Sequence, residues 1–330
     1  MTTEATSGLA GRVLRWHDLG DRLPASTGWH HSGVHVEADG TIHCAHPEGG
    51  ALMSLTPDGG ARRVDLGLAE LHGIADGGAP GVLAVADPGW RMHQVGEGDY
   101  APRTTPGRAV LLRADDGEIL LELPRPRTAT YVDEDWRPTS IAVGPHGDIW
   151  AADGYGQDRL HRFSRTGEHL LELHELPDGT RLDCPHAVIV RPGSADRSEV
   201  IVADRGNHRL LVLDAEGTLL RTFGGDHLDS PSGLALLGGD LYVTELHGGI
   251  ARFGPDERFL GTLEDGRARI ETEESWPNRP GAAPGSLRRP DMIPAVLNSP
   301  HGLAAHAGAL YLTEWVIGGR LARIDDPVGP

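Results

Sequence analysis

A unit of roughly 40 residues recurs along the chain, and that periodicity restricts the fold more than any other feature of it. Its clearest copy opens with Pro138-Thr139-Ser140-Ile141-Ala142-Val143 and continues through Gly147-Asp148-Ile149-Trp150-Ala151-Ala152-Asp153. Arg159-Leu160-His161-Arg162-Phe163 follows, then a Gly167 turn and Leu170-Leu171-Glu172-Leu173. Each piece is a short apolar run bounded by turn residues, the pattern of a strand. The same four-strand order returns over 185–223, 231–263 and 300–324, and upstream over 32–66 and 71–123. Six such units predict an all-β fold, a six-bladed β-propeller with four-stranded blades, occupying 1–330 as a single domain. The last unit lacks a clear fourth strand. Arg12-Val13-Leu14-Arg15-Trp16 is placed to supply it and close the ring, which removes the open sheet edges.

Three segments interrupt the repeat, at about 88–107, 124–136 and 266–298. In a propeller blade the connection into the innermost strand and the connection from second to third strand lie on one face. All three insertions are therefore predicted on the face where the repeats begin, and long loops gathered on one face usually serve binding.

Composition removes several function classes. All 30 basic residues are arginine, so a Schiff-base lysine and a Walker phosphate loop are both excluded. A net charge of −18 argues against nucleic acid as a partner. No apolar run is long enough to span a membrane, and the N-terminus, with Glu4 and no apolar core, does not read as a signal peptide. The expectation is a soluble cytoplasmic protein acting on a small molecule, with no nucleic-acid or membrane partner; the sequence is silent on oligomeric state. Cys44 and Cys184 are expected to pack as small apolar residues.

The repeat heads carry the chemistry. Leu71-His72-Gly73-Ile74, Cys184-Pro185-His186-Ala187 and Ser299-Pro300-His301-Gly302 place a histidine at one matched position, 114 and then 115 residues apart. Thr139 and Ser232 hold that position in the intervening units. The residue before an innermost strand can point to the propeller axis, and alternate blades of six are related by about 120°. His72, His186 and His301 are thus predicted to converge as a three-imidazole metal site with one side open. Zn2+ is preferred, with Fe2+ or another divalent metal as alternatives, since imidazole suits several. Other histidines (His146, His161, His169, His227) fall in turns or polar strand positions and are expected to be solvated. A carboxylate also recurs at the end of each second strand (Asp87, Asp153, Asp204, Glu245, Glu314), where it reads as a turn anchor accepting backbone N–H groups. The first unit has His46 there.

With these residues in place, the chain resembles the NHL-repeat propellers and, more narrowly, the peptidyl-α-hydroxyglycine α-amidating lyase family. The likeness is best over 138–163, with Ala152-Asp153-Gly154-Tyr155, and over 185–210, with Val202-Ala203-Asp204-Arg205-Gly206-Asn207. The resemblance implies that His72, His186 and His301 hold zinc, that Tyr155 is the catalytic tyrosine and that Arg205 is an active-site arginine. There are departures. A family arginine falls on His46, and the aspartate that holds a structural calcium falls on Gly302, which makes Ca2+ doubtful. A family methionine is Ser299, and a disulfide cysteine is Gly156.

The function implied is a metal-dependent, zinc-type lyase cleaving a C–N bond of a hemiaminal-like or other small hydroxylated or carboxylated substrate. His46, Trp90, Arg91 and Trp315 are candidate substrate-binding residues, with Tyr100 and Trp276 as further loop aromatics. Two rival readings are a lactonase-like propeller hydrolase and a non-catalytic NHL-repeat interaction scaffold.

Overall fold

The computed structural model describes residues 2–6, 13–193 and 197–325. Six four-stranded antiparallel blades follow one another around an axis. Blade one is Val34–Val36, Ile42–Ala45, Ala51–Leu55 and Ala61–Asp65; blade two is Gly73–Asp76, Val82–Asp87, Arg108–Arg113 and Ile119–Glu122. Blade three is Ser140–Val143, Ile149–Asp153, Arg159–Phe163 and His169–Leu173; blade four is Pro185–Pro192, Ser198–Asp204, Arg209–Asp214 and Leu219–Phe223. Blade five is Pro231–Leu237, Asp240–Glu245, Gly249–Phe253 and Phe259–Asp265. Blade six takes Pro300–His306, Ala309–Glu314 and Arg320–Asp325 from the C-terminal end, and its fourth strand, Val13–Asp18, from the N-terminal end. Trp16 pairs with Ile324 there, so the ring closes by joining the two ends of the chain. A fifth strand, Thr2–Thr6, lies outside it and was not foreseen; Arg12 falls outside the described residues.

Both faces of every blade pack on a neighbour, so second strands such as Ile149–Asp153 and Asp240–Glu245 are buried along their whole length, their acidic ends included. The outermost strands alternate or face water, as Ala61–Asp65 does. Six apolar clusters result, one at each blade junction. Trp150 and Phe163 are fully buried in two of them, and burying each contributes on the order of 1.5–3 kcal/mol. Cys44 packs inside the cluster between blades six and one; Cys184 is half-buried, and both are free thiols. Among the described residues no helix is long and apolar enough to cross a membrane.

The recurring carboxylates tie each second strand to the segment entering its own blade. Asp87 accepts from the N–H of Ala69 (2.8 Å), Glu70 (3.1 Å) and Gly89 (2.8 Å). Asp153 accepts from Arg137 (2.6 Å) and Gln157 (3.0 Å), Asp204 from Asp183 (2.9 Å), and Glu245 from Asp229 (2.9 Å) and Ser230 (2.7 Å). Glu314 accepts from Asn298 at 2.7 Å. Each bond satisfies a buried or part-buried backbone donor, and together they fix where the repeat head sits. In blade one, His46 accepts instead from the local N–H of Glu48, at 3.1 Å. The head is held there by Ser32, whose hydroxyl accepts from the N–H of Ala45 at 2.8 Å.

The insertions are ordered. Segment 88–107 is a hairpin, Trp90–Gly96 paired with Asp99–Thr104. Segment 266–298 holds a short helix, Arg267–Ile270, and a two-residue ladder whose Leu287 N–H donates to the Gly98 carbonyl at the hairpin tip, 2.7 Å away. Segment 124–136 contains a 3-10 turn, Ala129–Tyr131. Tyr131 shows that the solvated reading of His161 is wrong. His161 is fully buried, 2.9 Å from the Tyr131 hydroxyl through Nε2 and 3.0 Å from His169 through Nδ1. A polar strand position in a propeller still faces the next blade, so a histidine there is buried and must be hydrogen-bonded.

Candidate metal centre and its mouth

The matched spacing of His72, His186 and His301 becomes a matched set of hydrogen bonds. His72 Nδ1 lies 2.6 Å from the Thr139 carbonyl, His186 Nδ1 2.9 Å from that of Ser232, and His301 Nδ1 3.1 Å from that of Ser32. Each histidine thus reaches the head of the following blade. A carbonyl can only accept, so each Nδ1 carries the proton and each Nε2 presents a lone pair toward the axis. The three ring centroids are 4.5, 4.7 and 5.0 Å apart. Burial holds all three imidazoles well below their ordinary pKa, and the Arg205 charge lowers each of them further.

Neutral imidazoles with Nε2 lone pairs turned inward are the donor set of a transition-metal site. His72 Nε2 and His301 Nε2 are 3.2 Å apart. Two lone pairs at that distance repel, whereas the nitrogens of a tetrahedral zinc site stand about 3.3 Å apart along its edges. The residues fit a divalent metal. Calcium does not fit in the same way. A Cβ on Gly302 would come 2.6 Å from Thr313 Oγ1 and 2.7 Å from the Ser32 carbonyl, leaving no room for the aspartate that the resemblance calls for.

A fourth imidazole stands in this group. His31 is buried, with its ring centroid 4.3 Å from that of His72 and 4.4 Å from that of His301. One donor atom each from His31, His72 and His301 lie within 4.8 Å of one another, so the group compact enough to hold an ion has His31 in the place predicted for His186. His31 Nδ1 is 3.1 Å from Oε2 of Glu70, itself buried, which leaves its Nε2 free. Burial, then the charges of Arg205 and Arg91, pushes the His31 pKa down to about 3. The repeat pattern did not find His31, because it stands one residue before the head position. A signal was nonetheless present, since the corresponding residue is proline in four of the other units and leucine in the fifth.

Tyr155 sits against the histidines, its hydroxyl 3.3 Å from His72 Nε2 and 3.2 Å from His186 Nε2. Burial pushes this phenol above its ordinary pKa, and the charge of Arg205 opposes that shift. Arg205 donates to Ser232 Oγ at 2.6 Å and to the Pro231 carbonyl at 3.3 Å, which fixes its guanidinium beside the tyrosine. A cavity of about 480 Å³ opens above these groups, lined by His31, Trp90, Arg137, Tyr155, Arg205 and Trp315, with Thr104 and Leu246 at its sides. Among its described lining residues are two arginines and no carboxylate.

The other named residues lie apart from this mouth. Arg91 lines a neighbouring cavity of about 700 Å³ with Glu48, Asp87 and Arg103, and His46 is buried beside Glu48. Tyr100 packs edge-on against Trp29 and donates to the Thr27 carbonyl at 2.6 Å. Trp276 stands 6.1 Å from Trp315 and donates its indole N–H to the Asn298 carbonyl at 3.0 Å. Arg137 was not singled out from the sequence. Its backbone N–H is bound by Asp153 and its guanidinium donates to the Pro88 carbonyl at 3.1 Å, which brings it into the mouth.

No family model matches the chain. Over 76 residues it is 33% identical to peptidyl-alpha-hydroxyglycine alpha-amidating lyase 2 of Drosophila melanogaster, a stretch covering 23% of this chain and 18% of that protein. Over 86 residues it is 33% identical to peptidyl-glycine alpha-amidating monooxygenase A of Xenopus laevis, covering 24% of this chain and 9% of that protein. The match therefore spans less than a fifth of the length of either relative. Among solved structures, a streptogramin B lyase is similar at a TM-score of 0.59 and 14% identity, over 94% of this chain and 97% of that one. A gluconolactonase from Xanthomonas campestris is similar at 0.58 and 16% identity, over 96% and 90% of the two chains. At these identities the structures share the fold. The chain is a propeller that resembles the amidating lyases, with propeller enzymes among its structural neighbours.

Proposed function

We propose that the chain is a metal-dependent lyase that breaks the C–N bond of a small hydroxylated, carboxylated substrate of hemiaminal type. The observation that carries this reading is the convergence of neutral imidazoles beside an arginine- and tryptophan-lined cavity that His31 and Tyr155 line, with the Tyr155 hydroxyl 3.3 and 3.2 Å from two of them. His72 and His301 would hold the ion, with His186 by repeat spacing and His31 by proximity; Zn2+ is the first candidate and Fe2+ the second. A divalent ion held there supplies Lewis-acid polarisation of a substrate oxygen.

The remaining roles fall to the chain itself. Arg205, anchored on Ser232, offers a fixed guanidinium to a carboxylate, and Arg137, paired with Asp135, adds a second positive group to the wall. Trp90 and Trp315 flank the substrate and keep bulk water from the reacting carbon. Tyr155, buried and protonated at rest, gives its proton to the departing nitrogen and regains one from the substrate hydroxyl. The O–H and C–N bonds break while C=O and N–H form, so the products are an amide or amine and a carbonyl compound.

The test joins metal analysis of the purified protein to turnover of N-acyl-α-hydroxyglycines, with a panel of lactones alongside. About one equivalent of metal is expected, with Tyr155→Phe lowering kcat by about 10²-fold or more. His186→Ala is expected to lose both metal and activity. Metal-free native protein, full activity in both variants, or turnover confined to the lactones would overturn the reading.

A further inference from the structure

Glu70 has no part in the proposed reaction. Its side chain is 2% exposed, in the wall of the histidine cluster, and the hydrogen bond it makes there is to His31 Nδ1. Arg91 is a nearby positive charge, but it lines the adjoining cavity. Burial raises the Glu70 carboxyl well above its ordinary pKa, and a positive charge close behind the imidazole it meets would favour its ionised form. His31 is oriented to pass such a charge along. With Nδ1 bound to Glu70, its Nε2 turns to the same space as the Nε2 atoms of His72 and His301, at ring separations shorter than those among the three repeat-head histidines.

Resting on the metal reading of this site, we propose that His31 is a fourth protein ligand of the ion, with Glu70 as the outer carboxylate that sets its tautomer and orientation. The three repeat-head histidines each donate Nδ1–H to a neutral carbonyl. His31 alone among the four has a carboxyl group as its Nδ1 partner, which, ionised beside a bound ion, would fix the ring and its tautomer. The fourth ligand also differs in origin. It comes from blade one, whose head position is Ser32, and its orienting partner comes from the segment entering blade two. The centre therefore spans the junction of blades one and two as well as the three alternate blades, and a substrate oxygen would be taken as a fifth ligand beside the four imidazoles.

Zn2+ and Co2+ titrations of the apo protein, with X-ray absorption at the zinc edge, test this directly. Four imidazole scatterers are expected in the native protein and three in His31→Ala. Glu70→Gln, which keeps the shape of the side chain, is expected to weaken Zn2+ binding about 10- to 100-fold and to alter the Co2+ absorption spectrum. Circular dichroism establishes that each variant is folded; should His31→Ala fail to fold, the Glu70→Gln result decides. Native protein that binds stoichiometric metal through three imidazoles, with affinity and Co2+ spectrum unchanged in Glu70→Gln, overturns the fourth-ligand proposal and leaves the metal reading standing. Native protein that binds neither ion overturns both.

Discussion

Asp153 accepts from the backbone N–H of Arg137 and Gln157 and from the Tyr131 hydroxyl, and the first of these donors belongs to a residue of the mouth. Asp153→Ala would leave two part-buried backbone donors without their acceptor, while the Tyr131 hydroxyl keeps His161 Nε2, a loss of about 2 kcal/mol. Urea denaturation should show that loss, and substrate KM should rise as Arg137 drifts; an unchanged midpoint would mean that water replaces the carboxylate. The sequence supported this structural reading of the carboxylates because their recurrence in five units matched a repeated turn and exceeded what one active site needs. The same logic of recurrence picked out His72, His186 and His301. It could not pick out His31 or Glu70, since neither recurs. A lone histidine carries no positional pattern, and its pairing with Glu70 exists only once blades one and two are packed. His161 failed for a related reason: strand alternation says which face a residue is on, but in a propeller both faces are interior.

The strands were legible because each is a short apolar run between glycine or acidic turns, and the blade is simply four of them in order. The insertions carry no period, so their internal structure was not. The hairpin Trp90–Gly96/Asp99–Thr104 emerges from the second blade without belonging to its ladder, since Asp87 still pairs with Arg108 at its base. Replacing 88–107 by a short glycine linker is therefore expected to leave Tm and metal content near native while abolishing substrate binding, through loss of Trp90 and of the Pro88 carbonyl that holds Arg137. A collapse of Tm would show instead that the hairpin is structural. A separate device joins blades four and five, where Arg191 and Arg221 bridge Glu199 and Glu257 at 2.5–2.9 Å. The Arg221 hydrogen bond, opposed by partial burial and aided by Arg191, holds Glu199 at about 2 against an ordinary 4.5. A folded-state pKa below the unfolded one gives stability that is complete above about pH 4.5 and lost as the pH falls toward 2. Glu199→Gln should flatten the stability profile in that window, as read by denaturation at stepped pH.

At the scale of the ring, the ends of the chain meet in one blade, and the site depends on that meeting. Leu14 and Trp16 are buried in the cluster between blades five and six with Leu310, Leu312 and Ile324. At the axis, the junction of blades six and one is crossed by His301 Nδ1 to the Ser32 carbonyl, by Thr313 Oγ1 to the same oxygen at 2.6 Å, and by the pairing of Trp29 with Ile317. Closure was anticipated because a six-unit repeat with one strand missing at its C-terminal end and one spare strand at its start has few other solutions. Trp16→Ala removes a large buried side chain and is expected to cost about 3–5 kcal/mol. Deleting 1–18 should do more, exposing the edge of Arg320–Asp325 to pairing with other chains. Because His301 and Ser32 belong to opposite sides of that junction, loosening the ring should weaken metal binding before it abolishes the blades. In a denaturant titration of Trp16→Ala followed by Co2+ absorption and far-ultraviolet dichroism, the metal signal is thus expected to fall at lower denaturant than the strand signal. Coincident transitions at the native midpoint would mean that the N-terminal strand does not hold the ring shut.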